Sequence, residues 1–190
     1  MRTFLCDEDF ARYRSLVSES CRRSGVEIWA YCLMPNHVHM IAVPESEAAL
    51  RQAFGVAHQR YTREINKREH WRGHLWQCRF ASYPMDDAHT LAAARYIELN
   101  PVRGALVSSA AEYEWSSARA HLFGRDDELV RVAPLLAVRR DWGKFVHEQM
   151  DPNTLEALRR HLANGMPLGD EAFVKEIEAR IGPVVAPRAA

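Results

Sequence analysis

Residues 26–43, VEIWAYCLMPNHVHMIAV, decide the fold of this chain. Their first half alternates with a period of two, which predicts a β-strand with one set of side chains on each face. Pro35 cannot donate a hydrogen bond to a neighbouring strand, and Pro35-Asn36 is a strong turn signal. The chain is therefore predicted to reverse there and to return as a second strand. The side chains predicted to share one face of the first strand are Val26, Ile28, Ala30 and Cys32.

Two histidines, His37 and His39, stand two residues apart on the second predicted strand. Side chains at this spacing share a face and lie roughly 6.5–7 Å apart along it. Two imidazoles so placed can bind one divalent cation and leave its other positions open for substrate oxygens. Histidine is also a common surface residue, so the pattern fits a half-solvated sheet face as well. These two residues alone leave both interpretations open.

The length and composition indicate a globular protein without the marks of a membrane chain. At 190 residues, with 47% hydrophobic and 26% charged side chains, the chain can form one domain or one domain with a small appendage. No apolar run approaches the ~18 residues of a membrane span. The N-terminus is too short and too acidic to be a signal peptide. We therefore expect no membrane partner.

Cysteine spacing and net charge narrow the class further. The four cysteines form no Cys-x-x-Cys pair, which favours reduced thiols, a cytoplasmic location and no zinc knuckle. The net charge is zero, from 25 basic and 25 acidic side chains. A nucleic-acid partner would therefore have to be bound by a local basic patch.

Helical periodicity surrounds the predicted pair of strands. Apolar residues near a period of 3.6 predict a helix over residues 7–24 that Gly25 ends, and a second helix over about residues 47–67. Residues 75–82 follow a turn signal and are predicted to form a third, short strand.

A helix opened by an aspartate carries Tyr96. Asp86 or Asp87 can cap this helix, and Pro101 is predicted to stop it just after Asn100. Tyr96 and Asn100 are four residues apart and so share one helix face. A tyrosine in the last turn of a helix is usually packed into the core, so these residues alone do not favour a nucleophile.

Residues 51–83 carry an excess of positive charge. This stretch holds seven basic and two acidic side chains, with aromatic residues interleaved. Basic groups follow a phosphate backbone, and exposed aromatic rings stack on unpaired bases with ~1–3 kcal/mol per base. The alternative is a solvated helix face beside core aromatic residues. The residues predicted to contact DNA are Arg60, Arg63, Lys67, Arg68, Trp71, Arg72 and Arg79.

Four segments together resemble the REP-associated tyrosine transposases, which belong to the single-tyrosine HUH (His–hydrophobic–His) transposases. In chain order they are AYCLMPNHVHMIAVPE, GHLWQCRFASYPMD, ARYIELNPVRGALV and EYEWSSARAHL, and the resemblance covers most of residues 3–123. It implies that His37 and His39 are the HUH histidines and that Tyr96 is the nucleophile. It further implies that Asn100 is the third ligand of a bound Mg²⁺ or Mn²⁺.

The reaction implied by the resemblance is strand transfer of single-stranded DNA at REP-type hairpins. The tyrosine attacks a phosphodiester, which leaves a free 3′-OH and a 5′-phosphotyrosine on the enzyme. This linkage keeps the bond energy, so the strand can be rejoined without ATP. Single-tyrosine members typically work as dimers, so a homodimer is expected. The fold implied is α+β, a ferredoxin-like or RRM-like antiparallel sheet with helices on one side.

The sequence departs from the family pattern at its start. The resemblance implies a first strand with a basic, glycine-containing motif before the segment that matches residues 2–4, and this sequence begins after that strand. Without it, the strand that carries the two histidines is expected to have an open hydrogen-bonding edge. A start further upstream and a decayed copy both agree with this pattern.

The predicted organisation is a catalytic domain over residues 1–123, a helical appendage over residues 124–182 and a disordered tail over residues 183–190. Within the appendage, aspartates and glycines predict helices at about residues 141–149, 152–164 and 171–181. Residues 139–190 hold eight basic and eight acidic side chains, which favours a packing role over DNA contact.

Two further functions fit the same sequence. A decayed or domesticated copy would hold hairpin DNA without cutting it. A metal-dependent nickase would hydrolyse DNA through water, with Tyr96 in a structural role. A covalent protein–DNA adduct distinguishes the transposase from both.

Overall fold

The computed structural model describes residues 2–77 and 80–182 and has the predicted α+β class. Its sheet is an antiparallel pair of strands, β1 (Val26–Met34) and β2 (His37–Pro44). The helices are α1 (Asp7–Ser24), α2 (Ala49–Arg68), α3 (Asp87–Glu98), α4 (Asn100–Arg103), α5 (Ala118–Phe123), α6 (Ala133–Val138), α7 (Trp142–His147), α8 (Pro152–Asn164) and α9 (Glu171–Ile181). A single 3₁₀ turn spans Ala110–Glu112 within the described ranges.

The two strands meet at the predicted turn, but β1 does not keep one alternation from end to end. The register slips between Ile28 and Ala30, which leaves Trp29 in a β-bulge. Ile28 therefore packs in the core under α1 and α2, whereas Ala30 and Cys32 pack under α3. The prediction that Ile28 and Cys32 share a face is wrong because one extra residue inverts the phase of the strand.

Helices α1 and α2 lie side by side over one face of the sheet. Gly25 ends α1 in the left-handed region, with φ 65°, as the sequence predicted. Tyr13 of α1 and Tyr61 of α2 are fully buried against β1. The N-terminal segment joins this core at the turn, where the Thr3 backbone N–H donates to the Pro35 carbonyl oxygen at 2.8 Å.

Helix α3 covers the opposite face of the sheet. Its buried residues Ala93, Ala94 and Ile97 pack with Ala30 of β1 and Ile41 of β2. Helices therefore lie on both faces of this sheet, whereas the resemblance implied helices on one side. The face under α3 is the one that carries the two histidines, since His39 pairs with Cys32.

The two edges of the sheet differ. The outer edge of β1 is partly paired: the Leu33 N–H donates to the Trp115 carbonyl oxygen, and the Arg131 N–H donates to that of Ile28, both at 2.8 Å. Within residues 2–77 and 80–182, β2 pairs with β1 alone. Its other edge is open there, as expected.

The predicted third strand is absent from the described part of residues 75–82. Residues 75–77 and 80–82 lie outside regular structure, and residues 78 and 79 are outside the described ranges. Leu75 and Trp76 pack into the aromatic core beside α1 and α2. The apolar side chains of this segment therefore contribute to helix packing and not to a sheet.

A second short helix, α4, follows the helix that carries Tyr96 after one residue, Leu99. Pro101 stands in the first turn of α4, where its missing N–H leaves no hydrogen bond unmade. The Leu99 N–H donates to the Arg95 carbonyl oxygen, and the Arg103 N–H donates to that of Leu99. Helix α3 thus ends at Glu98, before the predicted end at Asn100, and Pro101 belongs to a second helical segment that extends to Arg103.

The C-terminal helices begin and end where the sequence predicted, except that α7 is shorter than residues 141–149. The Asp151 and Asp170 side chains accept the capping hydrogen bonds of α8 and α9. The domain boundary at residue 124 stays a prediction, but later residues share both cores: Val130 packs with α1 and α2, and Trp142 packs with α3. The predicted tail, residues 183–190, lies outside the described residues. No helix of the described ranges combines the length and apolarity needed to cross a membrane.

Candidate active site

Two histidine rings form the centre of the candidate site. His37 lies opposite Met34 and His39 lies opposite Cys32 across the antiparallel pair. Their ring centroids are 4.8 Å apart, with an interplanar angle of 79°. The predicted common face is therefore confirmed, and the rings are close enough to share one ligand.

The surroundings of both imidazoles favour the neutral form. Burial lowers the pKa of His37. Burial, followed by the neighbouring His37 and Arg103, lowers the pKa of His39 to about 4. Neutral imidazole is the form that binds metals. His37 Nδ1 lies 2.7 Å from Asn36 Oδ1, a contact that orients the ring from the turn.

Tyr96 lies beside this pair. Helix α3 crosses the same face of the sheet, and the Tyr96 ring centroid is 6.2 Å from that of His39. The side chain is half-buried, so part of it is accessible to solvent. The structure thus brings together three residues that the sequence separates by up to 59 positions.

Asn100 follows Tyr96 by one helical turn, at the start of α4. Its Oδ1 accepts a hydrogen bond from Arg103 Nη2 at 3.3 Å. Its Nδ2 is buried and has no hydrogen-bond partner among the described residues. The amide is therefore oriented by a single contact.

Arg103 is a residue of this site that the sequence interpretation missed. Its guanidinium carbon lies 4.0 Å from the centroid of the Tyr96 ring, a cation–π arrangement. It also donates to the Tyr96 carbonyl oxygen. A helical count of seven residues from Tyr96 could have found it, but the expected stop at Pro101 hid that signal.

The donor set fits a divalent cation chemically, although it is small. Among the described residues, no three His, Cys, Asp or Glu side chains come together as a metal site. A set of three ligands would need an oxygen donor beside His37 and His39, and the amide oxygen of Asn100 is the one that the sequence interpretation named. That oxygen has two lone pairs and gives one to Arg103, so one is left for a cation. Imidazole nitrogens with an amide oxygen suit Mn²⁺ and Mg²⁺ with open positions.

Most residues of this site lie within a segment that matches a known protein family. The family described as transposase IS200 like matches residues 2–100, which is more than half of the 190 residues and includes the two histidines, Tyr96 and Asn100. This chain belongs to the IS200-like transposase family. It is also 25% identical over 142 residues to a Haemophilus influenzae protein described as a REP-associated tyrosine transposase. That match covers 69% of this chain and 74% of the other protein. No solved structure gives a significant match.

The predicted DNA-contacting residues of this IS200-like transposase do not lie on one surface. Arg60 contacts Glu19 of α1 at 2.7 Å, and Arg68 contacts Asp9 of α1 at 2.5 Å. Both arginines therefore face α1 and have carboxylate partners. The predicted residues that are exposed near the end of α2 are Lys67, Trp71 and Arg72, and Arg79 lies outside the described residues.

A cleft of about 800 Å³ opens along another face of α2. Arg63 is the one predicted DNA-contacting residue among its described lining. The His58 ring stacks on Trp76 with centroids 4.3 Å apart, and His58 Nε2 lies 2.8 Å from the Tyr13 hydroxyl. Further polar or aromatic residues of the lining that sequence reasoning did not select are Arg51, Gln59, Thr62, His74 and Phe80.

A buried carboxylate anchors the helix of Tyr96. Glu98 is fully buried, and its Oε1 accepts from the Ser117 hydroxyl and lies 2.6 Å from His121 Nδ1. Its Oε2 accepts from Trp142 Nε1 at 2.7 Å. These bonds fix α3 to α5, its capping residue Ser117 and α7, all of which follow it in the chain. Glu98 lies two residues after Tyr96, yet its partners are 19 to 44 residues away, so local sequence gave no signal.

Proposed function

We propose that this member of the IS200-like family is a single-stranded DNA transposase that acts through a covalent bond between Tyr96 and DNA. The observation that carries the proposal is the grouping of Tyr96, His39 and His37, with ring centroids 6.2 Å and 4.8 Å apart along that order. Family membership supports transposition as the activity. The chemistry of the three side chains supports the tyrosine route.

In this proposal the Tyr96 oxygen attacks the scissile phosphorus. A phenol–phosphorus bond forms, the bond from phosphorus to the 3′ oxygen breaks, and that oxygen leaves as a 3′-OH. Rejoining reverses these bonds with a 3′-OH as nucleophile, so no external energy source is needed. A Mg²⁺ or Mn²⁺ held by His37, His39 and Asn100 would polarise the scissile phosphate.

Arg103 has a positioning role in the proposal. Its guanidinium covers the Tyr96 ring and holds the Asn100 amide oxygen, so one side chain fixes two others. Arg103 is also an exposed residue. A planar cation beside the nucleophile can contact a phosphate oxygen by two hydrogen bonds.

The DNA partner is proposed to be a single strand that carries a REP-type hairpin. Support comes from the cleft beside α2, which Arg51, Arg63 and Trp76 line together. Positive side chains can follow the phosphates while the aromatic ring stacks on an unpaired base. A homodimer is part of the proposal, because one tyrosine per subunit has to serve two strand ends.

One observation favours a second candidate, a hairpin-binding protein that does not cut. The Asn100 amide oxygen already accepts from the cation of Arg103, which opposes a second cation at the same atom. A protein with this arrangement could bind DNA through α2 and leave Tyr96 unreacted.

The test is a covalent adduct on denaturing gel electrophoresis with a 5′- or 3′-labelled hairpin oligonucleotide and Mn²⁺. The transposase gives an adduct that carries the label downstream of the cut, together with a free 3′-OH product. Tyr96→Phe is expected to lose the adduct but to keep hairpin affinity. Product without adduct would indicate a nickase, and binding without either would indicate the second candidate.

A further inference from the structure

A second cavity, of about 490 Å³, adjoins the candidate active site. It lies between β2, α3 and the C-terminal helices, and His39 and Tyr96 line it. Cavities that bind small ligands measure roughly 300–1,000 Å³. The volume is therefore in the range of a binding site and not of a packing defect.

The C-terminal helices supply one wall of this cavity. Leu158 and Leu162 of α8 and Phe173 and Ile177 of α9 line it. This wall is tied to the helix of Tyr96 through Asp86, whose carboxylate accepts both from the His89 N–H that caps α3 and from the Asp170 N–H at the start of α9.

Backbone hydrogen bonds reinforce this connection. The Asp86 N–H donates to the Leu168 carbonyl oxygen at 3.0 Å, and the Leu168 N–H donates to that of Pro84 at 2.9 Å. The position of α9 is thus coupled to the start of the helix that carries the candidate nucleophile.

The chemistry of the walls fits a flat, neutral ring. Six aromatic side chains line the cavity, among them Trp29, Phe80 and Tyr83. The β-bulge at Trp29 is what directs that side chain out of the regular alternation of β1. Burial raises the pKa of Tyr83 to about 12, so its phenol stays neutral.

Charge excludes a phosphate from the same space. No lysine or arginine stands among the described residues that line the cavity, and Asp87 adds a carboxylate. A phosphate would therefore stay at the end formed by His39 and Tyr96, beside Arg103. A nucleotide placed there has its charged and neutral parts beside complementary surfaces.

We propose that this cavity binds one nucleobase next to the scissile phosphate, turned out of the strand. Enzymes that act on single-stranded or extruded nucleotides read the base by stacking between aromatic and apolar side chains. The bound base sets which phosphate reaches Tyr96, and the C-terminal helices thereby select the position of the cut. This inference rests on the proposed function.

The test is an abasic scan of the hairpin oligonucleotide. Each oligonucleotide lacks one base near the mapped cut, and both Kd with Tyr96→Phe and the adduct rate with the natural chain are measured. One position is expected to lose about 10-fold in affinity and in adduct rate, the size of one stacked base. Measuring Kd in Tyr96→Phe makes the readout independent of cleavage.

Matched variants locate the base. Ile177→Trp fills the cavity from α9, and Ala179→Trp adds the same ring to an exposed position of that helix. Ile177→Trp is expected to bind the intact and abasic oligonucleotides equally, whereas Ala179→Trp keeps the 10-fold difference. Should Ile177→Trp fail to fold, Ser82→Trp fills the same space from an exposed loop position.

The outcomes separate this inference from the proposed function. A flat abasic profile with normal adduct formation overturns the base site and leaves the transposase intact. An abasic effect that persists unchanged in the cavity-filling variants also overturns it, because the base then lies elsewhere. Absence of adduct from every oligonucleotide, with the abasic effect on Kd present, overturns the proposed cleavage but not the base site.

Discussion

The two faces of the sheet carry the two groups of polar residues that the sequence marks as functional, and they assemble differently. Under α3, His37, His39 and Tyr96 come together with ring centroids within 6.2 Å of a neighbour. Beside α2, the predicted basic residues divide: Arg60 turns to carboxylates of α1, while Arg63 lines the cleft.

The two groups assemble differently because they were predicted from different kinds of sequence pattern. A spacing of two on a strand fixes a direction for both side chains, because the pleat repeats every two residues. A count of charges over a long segment gives no direction, because each residue of a helix points 100° away from the one before it. The His-x-His spacing therefore predicted residues that cluster in the structure. The excess of basic residues predicted residues that the structure distributes over different surfaces.

The largest effect is expected at the histidine pair. His37→Ala/His39→Ala should lose Mn²⁺ binding together with roughly 1,000-fold in adduct rate, since a bound cation supplies several kcal/mol of charge stabilisation. His147→Ala, at an exposed position of α7, is the matched control for incidental metal binding. Calorimetry that finds the same Mn²⁺ affinity in the double variant would remove the metal from this face.

A smaller effect is expected at Arg103, which extends the cluster beyond the predicted residues. Arg103→Ala should slow single-turnover adduct formation about 10-fold, because a cation–π contact contributes roughly 0.5–2 kcal/mol. Hairpin affinity should fall only a few-fold, because Arg103 would supply one of several phosphate contacts. Arg103→Lys keeps the charge but not the planar group and should recover only part of the rate. Full activity in Arg103→Ala would show that the stacking has no role.

A comparison of basic residues sharpens the difference between the two faces of α2. Arg63→Ala should weaken hairpin binding several-fold and reduce the dependence of log Kd on log salt by about one. Arg60→Ala should leave affinity unchanged and cost about 1 kcal/mol of stability, because it breaks a partly exposed ion pair. Equal losses of affinity in both variants would mean that DNA also contacts the α1 side.

The smallest effect is expected from His58, in the cleft beside α2, on the stability of the fold at acidic pH. Burial lowers the pKa of His58 from 6.5 to about 4 in the folded chain, so between these values the unfolded state binds more protons. Stability should therefore fall as the pH drops from 7 to 5, by about 1–2 kcal/mol from this residue. Urea denaturation of His58→Gln should show a smaller loss over the same range. An identical loss in the variant would place the effect at another group.

Features set by a few adjacent residues were predictable from the sequence. Pro35-Asn36 reverses the chain, Gly25 ends α1, and aspartates cap α3, α8 and α9. Each signal acts through bonds within a turn, so no distant contact can override it easily. The shared face of His37 and His39 belongs to the same class.

Features that depend on distant contacts were not predictable. The bulge at Trp29 inverts one strand, and nothing in the alternating sequence marks the extra residue. The partners of Glu98 come from two later segments of the chain, α5 with its capping residue Ser117 and α7. Leu75 and Trp76 pack against helices, and the described part of residues 75–82 forms no strand.

The candidate site was predicted only in part, because some of its residues are marked by local patterns and others only by distant contacts. His37, His39, Tyr96 and Asn100 came from the family resemblance together with local spacing, and the fold brings the first three close together. Arg103 was missed because a proline in the first turn of a helix was interpreted as the end of the previous one. The role of the C-terminal helices as a cavity wall required the tertiary structure.

The most direct test of the central claim is to identify the residue to which the DNA is covalently bound. The adduct formed with a hairpin oligonucleotide is digested with nuclease and protease, and the masses of the resulting peptides are measured by mass spectrometry. We expect the added 5′-phosphonucleotide on the peptide that contains Tyr96, and none on the peptide that contains Tyr83, which lines the same cavity. A nucleotide on Tyr83 or on any other residue would contradict the assignment of Tyr96 as the nucleophile.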